Sequence, residues 1–175
     1  MASTFSNYVA TKHGVAESTL LKATQVGHHY NLVNESKDID NGSVAKIGDR
    51  VKSDVFKAEV PQIGDKIVLI LTAVKIYEEY TIRMQEESNF YNAANEVMRA
   101  YEIQDTDRFT LSKEAFNSDA VLEVGKYVFV DGKDFKLTTG DKPDMTQYGF
   151  VGHIYEVAAN GNYRIWVDKN AQVYA

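Results

Sequence analysis

Residues 67–74, with the sequence IVLILTAV, form the longest apolar run of the chain and begin shortly after a Gly-Asp turn. The run is far shorter than the roughly 20 apolar residues that a membrane-spanning helix needs. A short continuous apolar run that follows a turn is typical of a strand buried on both faces. We therefore predict that this strand lies at the centre of the core.

The chain after Tyr30 consists of short alternating or apolar segments separated by polar turns. Aromatic and β-branched residues suit pleated sheets, and the chain has 11 Tyr and 8 Phe. The Asn-Gly pair at 160–161 predicts a tight hairpin turn. Many short strands at close spacing predict a mainly β fold, an antiparallel β-barrel or sandwich with at most one or two short helices. The strand candidates are YNLV (30–33), VFKAEVP (55–61), YEEYTIRM (77–84), RFTL (108–111), VLEVGKYVFVDG (121–132), FVGHIYEV (150–157) and YRIWV (163–167).

The segment SNFYNAANEVMRAYEI (88–103) fits two structures. Its apolar residues match one face of a helix, but its last seven residues also alternate as strand faces do. We favour a loop followed by a strand from about residue 97, joined by the turn QDTD to RFTL in a hairpin. Ser112 is expected to cap a single helical turn in SKEAF.

Residues 1–29 are predicted to form an extended N-terminal arm, and residues 30–175 a single β-rich domain. The arm has no sustained period of 2 or 3.6, although VAESTLLKAT (15–24) allows a short helix. Such a segment becomes ordered only by lying on its own body or on a neighbour. It lacks the charged and apolar regions of a signal peptide, so we expect the protein to be made and kept in a cytoplasm.

The charge balance and the lack of cysteine argue against several functions. The net charge is −6, and no Lys/Arg-rich tract concentrates the 19 basic residues, so we expect no direct contact with nucleic acid. No apolar run has membrane-spanning length, so no membrane partner is expected. Zero cysteines exclude disulfides, thiolate chemistry and zinc sites built on sulfur.

His28 and His29 are the most conspicuous candidates for chemistry. Adjacent residues point to opposite faces of a strand and diverge by roughly 100° on a helix, so the pair is poorly placed to chelate one metal. The sequence has no Ser-His-Asp arrangement, phosphate-binding glycine loop or metalloprotease helix. We expect both histidines to lie where the arm enters the body, hydrogen-bonded or exposed. We predict no enzyme activity, no cofactor and no metal.

Two further acidic features have simple explanations. DIDNGS (38–43) resembles a calcium loop only superficially, because serine stands at the sixth position and aspartate at the twelfth. The Asn-Gly pair at 41–42 instead predicts a tight turn. The carboxylate pairs at 78–79 and 86–87 lie in charged surroundings, and we expect them to be solvated.

Four segments carry a resemblance to a known family. They are DIDNGSVAKIGD (38–49), NEVMRAYEIQDTDRFTLSKEAF (95–116), VLEVGKYVFVDG (121–132) and FVGHIYEV (150–157). In this order, after a Ser/Thr/Ala-rich arm, they resemble the capsid decoration (head cement) proteins of tailed bacteriophages. The similarity is a pattern of strands and turns between residues 30 and 168.

The resemblance implies a non-enzymatic virion structural protein, made in the host cytoplasm, that binds the outer surface of a phage capsid and stabilises the head. It implies the major capsid protein and neighbouring copies of the chain as partners, and it leaves monomer, dimer and trimer open. Weak contacts repeated around a shell add through effective concentration. The arm residues that we expect to become buried on assembly are Phe5, Tyr8, Val9, Leu20 and Leu21.

A second class of function is a carbohydrate- or host-surface-binding β module of a virion. Exposed aromatic rings on a β scaffold could stack on sugars. This alternative expects aromatic residues clustered on one exposed face, whereas capsid binding expects apolar contacts spread over an arm and a base. The residues concerned are Trp166, Tyr77, Tyr80, Tyr148 and Tyr163.

Overall fold

The computed structural model describes residues 12–74 and 86–174 of the chain. Within these residues the fold is mainly β, as predicted, with one five-residue α-helix and 3-10 turns at Glu87–Asn89 and Lys113–Ala115. No helix in these two ranges has the length and apolar character needed to cross a membrane. In chain order the elements are β1 (Ala16–Glu17), α1 (Lys22–Val26), β2 (His29–Val33), β3 (Ile39–Asp40), β4 (Val44–Lys52), β5 (Val55–Glu59), β6 (Val68–Ile70), β7 (Tyr91–Asn92), β8 (Val97–Glu102), β9 (Arg108–Leu111), β10 (Tyr127–Phe129), β11 (Thr138–Gly140), β12 (Phe150–Val157) and β13 (Tyr163–Asn170).

The strands form a closed barrel, a six-stranded sheet and a small pair. The barrel has the order β2-β5-β4-β6-β8, the sheet has the order β1-β9-β13-β12-β10-β11, and β3 pairs with β7. Among these described strands, every pairing is antiparallel except that of β2 with β5. One wall of the barrel packs on one face of the sheet, because residues of β4 and β6 share a core with residues of β9, β12 and β13.

The apolar tract at 67–70 divides its side chains between two hydrophobic cores. Ile67 and Leu69 belong to the core between barrel and sheet, here named the intersheet core. Val68 and Ile70 belong to the core inside the barrel, the barrel core. All four are at most 3% exposed, so the predicted burial on both faces is confirmed for these residues. The predicted strand is shorter than the apolar run, because β6 ends at Ile70 and none of residues 71–74 is buried. Successive side chains of a strand point to opposite faces, which allows this one strand to serve both cores.

A buried asparagine links the sheet to the barrel at the start of this tract. The side-chain oxygen of Asn170, the last residue of β13, accepts a hydrogen bond from the N–H of Ile67 at 2.9 Å. Its side-chain nitrogen donates to the carbonyl oxygens of Ile67 and Ile103 at 2.8 Å each. Leaving such buried backbone groups unpaired would cost about 1–3 kcal/mol each. Asn170 therefore holds strand ends from both layers together.

The ambiguous segment resolves as a loop followed by a strand, as we favoured, because Val97–Glu102 is β8. The hairpin expected between β8 and β9 is wrong. β8 pairs with β2 and β6 in the barrel, whereas β9 pairs with β1 and β13 in the sheet. The turn between them is closed by the carboxylate of Asp107, which accepts a hydrogen bond from the N–H of Gln104 at 2.9 Å. This turn passes the chain from one layer to the other.

Two local predictions have different outcomes. The hairpin through residues 160–161 is confirmed, since β12 pairs with β13 and Gly161 has a φ of 83°. The helical turn after Ser112 forms, but Ser112 does not cap it through its side chain. The hydroxyl instead accepts a hydrogen bond from the N–H of Val15 at 3.1 Å, so it fastens the N-terminal segment to the sheet.

The described part of the predicted arm lies on the body of the protein. β1 extends the sheet by pairing Ala16 with Leu111. Leu21 is fully buried in the intersheet core, and α1, shorter than the segment that allowed a helix, ends at Gly27 with a φ of 69°. The chain's own body therefore orders residues 12–29. The strand candidate at 77–84 lies outside the described residues.

Shortening Leu69 to alanine tests the dual role of the tract. Leu69→Ala leaves a cavity in the intersheet core and should lower the free energy of unfolding by about 2–5 kcal/mol. Urea denaturation followed by circular dichroism measures this loss. The matched control is Val97→Ala, because Val97 is 47% exposed, and it should change the value by about 0.5 kcal/mol or less. A loss at Leu69 as small as that of the control would contradict the packing described.

Candidate functional site

The face of the six-stranded sheet that points away from the intersheet core carries a row of aromatic and cationic side chains. Strand register places Arg108 opposite Trp166, Trp166 opposite His153, and His153 opposite Tyr127. These four residues, here named the aromatic row, form one line across β9, β13, β12 and β10. Because neighbouring strands lie about 4.8 Å apart, the line is about 15 Å long.

Alternation along each strand explains why the row points outward. Ile165 and Val167, on either side of Trp166, are fully buried, and so is Val128, which follows Tyr127. Since successive side chains of a strand face opposite ways, Trp166 and Tyr127 lie on the solvent face. Both are half-exposed, as is His153, and Arg108 is exposed. The core residues thus fix the backbone that presents the row.

Ring contacts support Trp166 at the centre of this surface. The guanidinium carbon of Arg108 lies 5.6 Å from the Trp166 ring centroid, within the range of a cation–π interaction. Tyr155 meets the same ring edge-on, with the centroids 6.3 Å apart. Such edge-to-face pairs are favourable because ring edges are positive and ring faces negative. Trp166 is therefore held on two sides by side chains of the same face.

Aromatic contacts continue to the other end of the row. The rings of Tyr127 and His153 have centroids 6.2 Å apart. Phe129, two residues along β10 from Tyr127, meets Tyr148 edge-on at 5.1 Å. The sheet face therefore carries aromatic rings from β13 to the segment before β12.

The charged groups beside the row are paired with one another. The Nδ1 atom of His153 lies 2.8 Å from a carboxylate oxygen of Asp168. Arg164 donates to the carboxylate of Glu156, also at 2.8 Å. Covering an unpaired ion costs several kcal/mol, whereas paired ions reduce that penalty. A partner could cover this surface without isolating either carboxylate.

The five residues that we expected to contact the capsid have different outcomes in the structure. Phe5, Tyr8 and Val9 lie outside the described residues. Leu20 is 48% exposed and is available to a partner, whereas Leu21 is fully buried. The expectation for Leu21 is corrected, because the chain's own intersheet core already covers its side chain.

The aromatic residues considered for sugar stacking also have different outcomes. Tyr77 and Tyr80 lie outside the described residues. Tyr148 and Trp166 contribute to the aromatic face described above. Tyr163 instead packs against the intersheet core, so it does not join them.

His28 and His29 lie where the N-terminal segment enters the barrel. The ring of His28 pairs with the carboxylate of Glu102, whose other oxygen binds the ammonium of Lys66. The Nδ1 atom of His29 lies 2.9 Å from the carbonyl oxygen of Gly27. In the part of the chain that the structure describes, no group of three or more His, Cys, Asp or Glu is placed to hold a metal ion.

The cluster at Glu102 shifts the acid–base behaviour of that carboxyl. Burial raises the pKa of Glu102, but the hydrogen bonds and positive charges of Lys66 and His28 outweigh burial and hold the pKa below its ordinary value. Asp65 shows the same balance: burial raises its pKa, but the hydrogen bonds from the N–H of Gln62 and from the side chains of Gln172 and Lys46, with the positive charge of Lys46, outweigh burial and hold the pKa below its ordinary value. When they are ionised, both carboxylates therefore stabilise the folded state.

The segment that resembles a calcium loop and the carboxylate pair at 86–87 have simple structural explanations. At 41–42 the chain turns with a φ of 83° at Gly42. The side-chain amide of Asn41 donates to the carbonyl and accepts from the N–H of Thr72. Residues 86–87 are exposed, and residues 78–79 lie outside the described ranges.

Sequence reasoning selected Trp166 but missed Arg108, His153 and Tyr127. In the sequence, each of these residues alternates with apolar neighbours, and this pattern indicates that its side chain faces away from a core. The sequence does not indicate that the four side chains are neighbours, because they come from four strands whose order in the sheet differs from their order in the chain.

Comparison with known proteins adds no assignment. No protein-family model matches the chain, and no curated protein or solved structure matches it. Function is therefore inferred from the surface and from the sequence segments described above.

Replacing Glu102 tests the charge cluster at the barrel. The pKa of Glu102 is lower in the folded protein than the ordinary value of 4.5, so the unfolded chain binds more protons as pH falls through this window. Stability is then fully present above about pH 4.5 and is lost as pH falls through the folded pKa. Glu102→Gln should lower stability at neutral pH and flatten its loss in acid.

Urea denaturation at several pH values between about 3 and 7 measures this slope. The control is Glu123→Gln, which removes a carboxylate from an exposed position and should leave the slope close to that of the unchanged protein. An equal acid slope in both variants would rule out the stabilising role of Glu102.

Proposed function

We propose that the protein is a non-enzymatic structural protein of a virion that binds the outer surface of a phage capsid and stabilises the head. The aromatic row carries this proposal. Binding energy at protein interfaces is concentrated in Trp, Tyr and Arg, and the row presents Trp166, Tyr127 and Arg108 on one surface. The resemblance of four sequence segments to capsid decoration proteins supplies the class of partner.

The position of the row on strands that are anchored in the core supports a role in binding. Each member lies on a strand of the sheet, and buried neighbours such as Ile165 and Val128 anchor those strands in the core. A surface that is already ordered loses little conformational entropy when a partner covers it. The paired charges beside the row further reduce the desolvation penalty.

The proposed partners are the major capsid protein and neighbouring copies of this chain. Leu20 offers an apolar contact outside the row. It follows β1, the strand that pairs with β9 at one edge of the sheet. Contacts of this kind are individually weak, but on a repeating shell they act together when the copies are linked to one another.

Truncation of the row should weaken binding to heads. Trp166→Ala and Tyr127→Ala should each reduce the affinity for phage heads prepared without this protein by about 10- to 30-fold, because each removes about 1.4–2 kcal/mol of contact. Co-sedimentation over a range of protein concentrations measures the affinity. Circular dichroism and thermal unfolding of each variant establish that it is folded.

Tyr174→Ala is the matched control, because it removes an aromatic side chain that is 89% exposed and outside the row. Its affinity for heads should equal that of the unchanged protein. Folded row variants that bind as tightly as Tyr174→Ala would refute the proposed contact. An unchanged protein that fails to bind heads would refute the proposed function.

Carbohydrate binding is the second candidate function, and one observation favours it. Trp166, Tyr155, Tyr127 and Tyr148 lie on one face of the sheet, as a sugar-stacking surface requires. A glycan array separates the two candidates, since saturable binding that disappears in Trp166→Ala would support the carbohydrate function.

A further inference from the structure

A cavity of about 230 Å³ opens at one end of the closed barrel. Four of the five barrel strands line it, namely β2 with Tyr30, β4 with Lys46 and Ile47, β6 with Val68 and β8 with Glu102. Mouths of β-barrels are common places for small-molecule sites. This space is named the barrel mouth.

The floor of the barrel mouth is apolar. Val68 is buried in the barrel core, and Tyr30 and Ile47 pack against that core while remaining half-exposed. The hydroxyl of Tyr30 already has a partner, since it lies 3.5 Å from the Nε2 atom of His28. A ligand that covers this floor removes apolar surface from water, which favours binding. Since an engineered cavity of about 150 Å³ in another protein holds benzene, the barrel mouth has room for a substituted aromatic ring.

The rim of the barrel mouth consists of charged groups that pair with one another. The ammonium of Lys66 binds one carboxylate oxygen of Glu102, and the ring of His28 pairs with the other. The ammonium of Lys46 lies 3.1 Å from a carboxylate oxygen of Asp65. Two ammonium groups therefore offset two carboxylates at this rim, so a ligand with a net charge gains little attraction to balance the loss of its hydration.

The hydrogen-bonding groups that the rim leaves free are N–H donors. An ammonium carries three N–H groups, and among the described residues Lys46 and Lys66 each reach one carboxylate, with side chains 39% and 43% exposed. Both carboxylate oxygens of Glu102 are already paired. The side-chain amide of Gln172 accepts from the N–H of Lys66 at 3.2 Å and donates to Asp65 at 3.1 Å. The barrel mouth thus suits a ligand with a hydrogen-bond acceptor.

We infer that the barrel mouth binds a small uncharged aromatic molecule that carries an acceptor oxygen, such as a ketone. Its ring covers the floor beside Tyr30, where aromatic pairs gain energy beyond burial alone. Its oxygen accepts a hydrogen bond from the ammonium of Lys46 or Lys66. A negatively charged ligand would lie beside Glu102, and a positively charged one beside the two lysines, and such like-charge contacts oppose binding.

This inference goes beyond the proposed function and does not rest on it. The barrel mouth belongs to the barrel, whereas the aromatic row lies on the six-stranded sheet. Failure of the tests below would leave the binding of heads by the aromatic row unaffected.

NMR titration of the isotope-labelled full-length chain with acetophenone tests the inference. For this uncharged ketone of about nine non-hydrogen atoms we expect a Kd of about 1 mM. The backbone N–H signals of Ile47, Val68 and Glu102 should shift until saturation, and that of Trp166 in the aromatic row should not. Absence of saturable shifts at the barrel mouth would overturn the inference.

Two charged relatives of acetophenone test the charge of the ligand. Benzoate and benzylammonium carry the same ring, and each should bind at least about fivefold more weakly, because each places its charge beside a like charge of the rim. Equal or tighter binding of either ion would overturn the assignment of an uncharged ligand.

Filling the barrel mouth tests the location. Ile47→Trp places a larger side chain in the cavity and should weaken acetophenone binding at least about tenfold, because ring and ligand compete for one space. Val51→Trp is the matched control, because Val51 lies on the same strand, is 48% exposed and does not line the cavity. Circular dichroism and thermal unfolding establish that both variants are folded. Equal affinity of the two folded variants would contradict the proposed site.

Removing the donors provides a second set of variants that leaves the floor intact. Lys46→Met or Lys66→Met should weaken acetophenone binding at least about fivefold through loss of a hydrogen bond from a charged donor. Lys57→Met is the control, because Lys57 is exposed on β5 and does not line the cavity. If both rim variants bind acetophenone as tightly as Lys57→Met does, the proposed hydrogen bond is wrong.

Discussion

Burial of the tract at 67–70, which includes β6, on both of its faces is the constraint on which the two layers depend. Ile67 and Leu69 complete the intersheet core, and Val68 and Ile70 complete the barrel core. The barrel and the sheet therefore cannot separate without exposing one face of this strand to water. Asn170 reinforces the junction, because it satisfies backbone groups of Ile67 in the barrel wall from the end of a sheet strand.

The same alternation that buries the core creates the aromatic face on which the proposed function rests. The inward residues of β13 and β10 belong to the intersheet core, and this places Trp166 and Tyr127 on the opposite face. The strand order then sets His153 between them. The aromatic row is thus a consequence of core packing.

The N-terminal segment is bound to the body by polar contacts at both of its ends. The Nδ1 atom of His13 lies 2.7 Å from a carboxylate oxygen of Asp40 in β3. At the other end His28 pairs with Glu102 in β8. Between these two pairs Leu21 enters the intersheet core. Residues 12–29 are therefore part of the folded body, and their ordering requires no partner molecule.

Local sequence patterns predicted the mainly β class, the burial of residues 67–70 on both faces, the strand from residue 97 and the hairpin through residues 160–161. Each depends on the period of apolar residues or on turn chemistry, which are local properties of the chain. Three other features emerge only in the folded protein: β8 and β9 belong to different layers, Leu21 is internal, and Arg108 lies beside Trp166. These features depend on pairings between residues far apart in the chain, and such pairings are selected by the packing of the whole core.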